Sequence, residues 1–180
     1  MDFFGHLGTV LEHKWLVMKY CFKVGLFKQG ILHDLSKFSP TEFLVGVKYY
    51  QGDRSPNNAE REEKGYSASW LHHKGRNKHH YEYWTDYSVS SKSVAIVPVK
   101  MPAKYVVEML MDRIAASRVY HKGHYKDDMP LKYFARSMDR VMMHEDTKRL
   151  LYKLLKMLSI KGEAETFRYI KMKLKGKHRA

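Results

Sequence analysis

Eleven histidines stand in this chain of 180 residues, and their placement carries more information than their number. Four fall in one short stretch, His72-His73-Lys74-Gly75-Arg76-Asn77-Lys78-His79-His80. Imidazole is the commonest protein ligand for borderline divalent metals, and carboxylate oxygens complete such sites. Histidines in a basic loop can also simply be solvated, so the cluster alone leaves both readings open. The adjacent pair His33-Asp34 adds a carboxylate and a further imidazole. Neighbouring side chains at a helix end converge on one ion only where the backbone departs from regular helix. Asp112 sits among Met109, Leu110, Met111 and Ile114, where an unpaired buried carboxylate is costly. A metal would satisfy it, and so would a salt bridge to Arg113 or Arg118.

The run His33-Asp34-Leu35-Ser36-Lys37 resembles the HDxxK signature of HD-domain phosphohydrolases. That pattern places a histidine on an early helix, then the His-Asp pair, then one to three further histidines, and an aspartate on a later helix. The chain offers His13, His33-Asp34, then His73, His79 and His80, and finally Asp112, in that order. His6 lies one heptad before His13 on the same helical face, and His13 is preferred because it lies inside the periodic segment. The resemblance implies one ion on His13, His33, Asp34 and Asp112, with His73 and either His79 or His80 extending the site to two. The choice of His73 over His72 rests on the same analogy. Such ligand sets accept Mn, Fe, Co, Ni and Zn, so the metal stays open. Three stretches, Gly30 to Lys37, Trp70 to Asn77 and His79 to Trp84, also resemble a bacterial and phage family of this length that has no established activity.

The resemblance implies a metal-dependent phosphohydrolase or phosphodiesterase acting on a small phosphorylated or nucleotide-like substrate. A bound ion lowers the pKa of its water toward neutrality and offsets charge on the phosphoryl oxygens. Asp34, His80 and Lys37 are then the catalytic candidates, with the Lys37 ammonium clamping a phosphate beside the metal. Arg76 and Asn77, on a turn containing Gly75, are candidates to close over the anion, arginine through its planar fork. Trp70, Tyr81, Tyr83 and Trp84 would stack on a base or form the wall of the site. Two other readings use the same residues: a di-iron oxygenase of the HD type, similar to inositol oxygenase, and a nucleic-acid-binding protein whose His-Asp pair is structural.

The elements that must position these groups read as all-α, and the resemblance makes them an HD-like helical bundle with a long ordered loop and extra C-terminal helices. Apolar residues near a 3.6-residue period predict a helix from Leu7 to Val24, interrupted by Gly25. A second, from Leu26 to Leu35, carries His33 and Asp34 at its end. Ser39-Pro40-Thr41-Glu42 reads as a capping box, with Glu42 reaching back at the start of a helix ending near Tyr50. Residues 52–67 are polar and read as an exposed loop, and a helix is expected to begin near His79 and His80. Between Thr85 and Met101 lie Val94, Ile96, Val97 and Val99, an extended segment or ordered loop in which Pro98 argues against a strand. Further helices are expected over Ala103 to Tyr120, Leu131 to Met142, Glu145 to Leu158 and Gly162 to Leu174.

Length favours one domain, with residues 1–125 as the metal-binding core and 126–180 as basic helices packed on it. The net charge of +14 points to an anionic partner. About nine of those charges fall after Thr147, where Leu150, Leu151, Leu154, Leu155 and Leu158 form an apolar stripe beside Lys148, Arg149, Lys153 and Lys156. The basic tail, Lys171 to Arg179, could hold nucleic-acid phosphates nonspecifically. No apolar run is long enough for a transmembrane segment, and Met1-Asp2-Phe3-Phe4 lacks a signal-peptide pattern, so a cytoplasmic location is expected. The single cysteine, Cys21, is expected to be a buried thiol.

Overall fold

Asp2 caps the first helix, α1 (Phe3–Val24), by accepting a hydrogen bond from the Gly5 amide at 2.8 Å. Its buried positions, His6, Val10, His13, Val17, Tyr20, Cys21 and Val24, recur every three to four residues. Gly25 ends it in the left-handed conformation at φ 87°, which glycine adopts without a Cβ penalty. The computed structural model describes residues 1–89 and 96–176. After α1 come α2 (Phe27–Leu32), α3 (Pro40–Tyr49), α4 (Pro56–Lys64) and α5 (Ala68–Lys74). A ribbon of β1 (Thr85–Tyr87) and β2 (Ile96–Pro98) leads to α6 (Ala103–His121), α7 (Met129–Ala135) and α8 (Glu145–Gly176). Among the described residues the chain is thus all-α apart from one small ribbon.

Helix α6 is the axis of the molecule. Val106 through Met111 are buried without interruption, so the helix is enclosed on every side. It packs against α1, α7 and α8. Val17 and Cys21 of α1, Leu110 and Ile114 of α6, Phe134 of α7 and Leu151, Leu155 and Leu158 of α8 belong to one apolar cluster. The leucine stripe of α8 faces inward, while Arg149, Lys153 and Lys156 are exposed. Gly162, at φ 75° and ψ 177°, breaks α8 where two helices are expected from the sequence. Cys21 is fully buried, and burial pushes its thiol pKa up. Among the described residues no helix is long and apolar enough to cross a membrane.

Several expectations are corrected. Residues 52–67 are not an irregular loop, because Ser55 and Pro56 start α4 and Gly65, at φ 79°, ends it. The apolar period is absent there because the buried member of α4 is Glu60, which accepts a hydrogen bond from Ser67 Oγ at 2.7 Å. The helix expected over Leu131 to Met142 spans only Met129–Ala135 and gives way to turns. The helix carrying His33 stops at Leu32, and the chain after His80 makes a 3-10 turn, Tyr81–Tyr83, rather than an α-helix. Pro98 does sit in a strand, where it is the Cα partner of Thr85. The ribbon has two strands, so each has a free edge that tolerates the missing proline N–H. Val94 and Lys177 to Arg179 lie outside the described residues.

Gly46 of α3 is where the His6 ring meets the helix, and that ring is wedged between Phe43 and Tyr50. A Cβ at position 46 would overlap the imidazole. Glycine to alanine inside a helix normally stabilises by about 0.5–1 kcal/mol. Here overpacking reverses the sign, and Gly46→Ala should destabilise by about 1–3 kcal/mol in urea unfolding. The same change in a His6→Ala background should stabilise, and an equal loss in both backgrounds would refute the steric account.

Candidate metal centre

The site begins with a backbone irregularity. After Leu32 the helix ends, His33 takes φ −52° and ψ 127°, and Asp34 enters the left-handed region at φ 53° and ψ 27°. Carbonyls at a helix end lack intrahelical partners. Lys14 of α1 donates to two carbonyls here, Ile31 O at 2.9 Å and His33 O at 2.8 Å. The reversal lets the two neighbouring side chains turn to a common point, as the dipeptide requires if both are ligands. A 3-10 turn, Leu35–Phe38, then brings Lys37 Nζ to 2.7 Å from Asp34 Oδ2.

Around Asp34 the sequence candidates gather in two sets. Oδ2 lies 3.3 Å from His33 Nε2 and 3.7 Å from His13 Nε2. Asp112 Oδ1 completes that side, 3.0 Å from His13 Nε2 and 3.8 Å from His33 Nε2. On the other side, Oδ1 lies 3.3 Å from His73 Nε2 and 3.4 Å from His79 Nε2. Potential ligand atoms of His13, His33, Asp34 and Asp112 fall within 4.8 Å of one another, as do those of Asp34, His73, His79 and His80. These groups could hold a metal ion. The donor set fits one: His13 Nε2, His33 Nε2, His79 Nε2, His80 Nε2 and Asp34 Oδ1 are all buried without a hydrogen-bond partner. Buried polar atoms are nearly always satisfied, and a cation is a partner that this set of inward-facing nitrogens and oxygens fits.

Two further carboxylates orient these rings: Glu108, absent from the sequence candidates, and Glu42, expected to be a helix cap. Glu108 Oε1 lies 3.0 Å from His33 Nδ1 and 3.3 Å from His79 Nδ1, which leaves both Nε2 atoms facing Asp34. It is one turn before Asp112 on α6, so a second carboxylate at that spacing in an apolar helix was its available signal. Glu42 holds His73 Nδ1 at 2.7 Å and His72 Nδ1 at 2.6 Å. The capping box is therefore not formed: Ser39 is the N-cap without a side-chain hydrogen bond, and the Glu42 carboxylate is drawn to two imidazoles. His72 also faces Glu42 but is in neither ligand set, whereas His73 Nε2 lies beside Asp34.

The remaining candidates divide. Asn77 is buried, and its amide donates to Ser36 Oγ and to the His73 carbonyl, both at 2.8 Å, tying the histidine turn to the 3-10 turn. Arg76 is exposed and donates to the His72 carbonyl at 3.3 Å. Trp70 lies against His73 and His80, with ring centroids 5.6 and 4.7 Å away, and forms a wall. Trp84 and Tyr81 pack on the core, and Tyr83 lies beside Trp84. His6 is buried near the Lys37 end of the site, outside both ligand sets.

Charge balance follows from this packing. Burial, then the nearby Lys37, lowers the pKa of His13, and burial with His79 and His73 lowers that of His80 well below the usual value. Both shifts favour the neutral imidazole, the coordinating form. Burial opposes the charged form of His33, but Asp34, Glu108 and Asp112 outweigh it and raise its pKa to about 9. Burial likewise works against the Asp34 anion, and His33, Lys37 and His73 overcome it, holding the carboxyl well below its usual range.

A family model described as "Family of unknown function (DUF5662)" matches residues 2–157, and the chain belongs to that family. No curated protein and no solved structure matches it.

Replacing either supporting carboxylate should weaken metal binding while the ligands remain. Glu108→Gln and Glu42→Gln are each expected to lower affinity about 10–100-fold in chelator competition, and unchanged affinity in both would show that the ring orientation does not depend on them. In the metal-free protein the raised pKa of His33 makes a stabilising contribution that is complete below about 6.5 and is lost as pH rises through about 9. Thermal unfolding of chelator-treated protein should therefore show Tm falling between those values. His33→Gln should remove that part of the slope.

Proposed function

We propose that this protein is a phosphohydrolase that works with two divalent transition-metal ions on a small phosphorylated or nucleotide-like substrate. The observation that carries the reading is the Asp34 carboxylate, whose two oxygens face separate sets of buried imidazoles. A carboxylate so placed suits a pair of ions sharing one ligand, an arrangement matched to displacement at phosphorus. The HDxxK resemblance and the +14 charge point to the same class of anionic substrate.

Divalent ions held there would supply a water acidic enough to ionise near neutral pH and positive charge opposite the phosphoryl oxygens. The chain does the rest. His13, His33 and Asp112 serve one side of Asp34, while His73, His79 and His80 serve the other. Glu108 and Glu42 fix ring direction, and Asn77 positions His73 rather than touching substrate. Lys37 brings a cation to the edge of the site, where its side chain is 31% exposed and that of Asp112 is 19% exposed. Substrate would approach along this edge, with the Lys37 ammonium holding a phosphoryl oxygen.

The test combines elemental analysis with anaerobic hydrolysis of a chromogenic phosphoester by Mn²⁺-loaded protein. Wild type should hold two ions per chain, Asp112→Ala one, and Asp34→Ala none. Lys37→Met should keep both ions and lose at least about 100-fold in kcat/KM, the scale of one removed transition-state contact. Two ions with no hydrolysis but with substrate-dependent oxygen uptake would replace this reading with the oxygenase. Metal-free protein with steeply salt-dependent nucleic-acid binding would replace both.

A further inference from the structure

Helix α6 carries two arginines in different circumstances. Arg118 is fully engaged: its Nη2 and Nε donate to Glu163 at 2.6 and 3.2 Å, and its guanidinium lies 4.1 Å from the centroid of Tyr125. Arg113, directly after Asp112, is not. Its Nε is buried without a hydrogen-bond partner, and among the described residues no carboxylate lies within ion-pair distance of it. Its contacts are the rings of Phe134 and Tyr133 on α7, at 5.2 and 6.0 Å. Burying a guanidinium N–H without a hydrogen-bond partner is costly, and ring contacts offset only part of that cost.

The surroundings show what the cost is for. The groups in electrostatic reach of Arg113 are Asp112, Tyr133, Tyr81 and Glu82. Asp112 is in one ligand set, and Tyr81 and Glu82 directly follow His80 of the other. Arg113 is thus within electrostatic reach of both chain segments that frame the centre. Glu82 Oε2 is also buried and unpaired, and the two opposite charges do not close on each other. Arg113 Nε and Glu82 Oε2, each buried without a partner and within electrostatic reach of one another, are complementary to a third group, one that presents anionic oxygens to the arginine and a hydrogen to the glutamate.

We infer that Arg113 and Glu82 form a substrate-anchoring subsite beside the metal centre, taking an oxyanion and a neighbouring hydroxyl or amine of the same substrate. A guanidinium fork binds phosphate or carboxylate through two parallel hydrogen bonds. This deepens the proposed function, resting on it for the oxyanion being a phosphoryl group. It narrows the substrate to phosphorylated compounds with a polar hydrogen close to the phosphate, as in sugar phosphates and nucleotides, over simple aryl esters. Arg113 and Glu82 are here binding residues and take no part in proton transfer.

The test is calorimetric titration of metal-loaded protein with inorganic phosphate. Arg113→Met should weaken binding at least tenfold with metal content unchanged, and Arg113→Lys, which keeps the charge but loses the fork, should weaken it several-fold. In wild type, phosphate should slow modification of Arg113 by phenylglyoxal, mapped by mass spectrometry, a readout that needs no variant. Unchanged phosphate affinity in Arg113→Lys together with unprotected Arg113 would overturn the subsite even if Arg113→Met fails to fold. Phosphate binding that depends on Arg113 in a protein without hydrolytic activity would sink the proposed reaction and keep the subsite. Hydrolysis with phosphate affinity indifferent to Arg113 would do the reverse.

Discussion

Everything in this molecule answers to the problem of keeping Asp34 ionised where water does not reach. A carboxylate with 2% of its side chain exposed faces a large desolvation penalty, which His33, Lys37 and His73 offset with positive charge at close range. Imidazoles from α1, the α2 end, α5 and the turn after it meet around this one group, with Lys37 as a fixed cation at its side. The arrangement is costly as an apolar core and economical as a ligand cage. The same atoms that lack partners within the chain are those that point at one another across a space suited to cations.

The scaffold is arranged around that demand. A helix buried on all sides can present residues in every direction, and α6 uses this to place Glu108 behind the rings, Asp112 among them, and Leu110 and Ile114 in the core. Lys14 reaches from the flank of His13 on α1 to hold the carbonyls that end α2. Two ligand-bearing segments are thereby joined before any metal is considered. Asn77 does the same for the histidine turn and the 3-10 turn. The C-terminal helix contributes leucines to the shared core and leaves Arg149, Lys153 and Lys156 exposed.

The candidate ligands were legible in the sequence because histidine and aspartate in a fixed order are rare enough to stand out, and because a family pattern supplied the order. Asp112 was legible for a second reason, as an acid set among apolar neighbours. What supports the ligands was not legible. Glu42 imitated a local helix cap, and nothing within four residues of it reveals that its partners lie thirty positions further on. Helix α4 escaped because periodicity detects apolar faces, and the residue it buries is Glu60, satisfied by Ser67 and Ser69. Its capping residues, Ser55, Pro56 and Gly65, were the better guide. Long-range pairing between polar groups leaves little trace in spacing, which is why the outer carboxylates and the α2 clamp emerge only in three dimensions.

The left-handed backbone at Asp34 separates two requirements that a single residue happens to meet. The turn needs a side chain that tolerates positive φ, and aspartate, asparagine and glycine all do so at modest strain. The centre needs a carboxylate, and only aspartate supplies it there. One change of codon to asparagine or glycine would leave the turn comfortable and the candidate centre without the carboxylate common to its two sets of imidazoles. Loss of the candidate centre with the fold retained is thus a single substitution away in this architecture. A branched residue such as valine would break the turn as well.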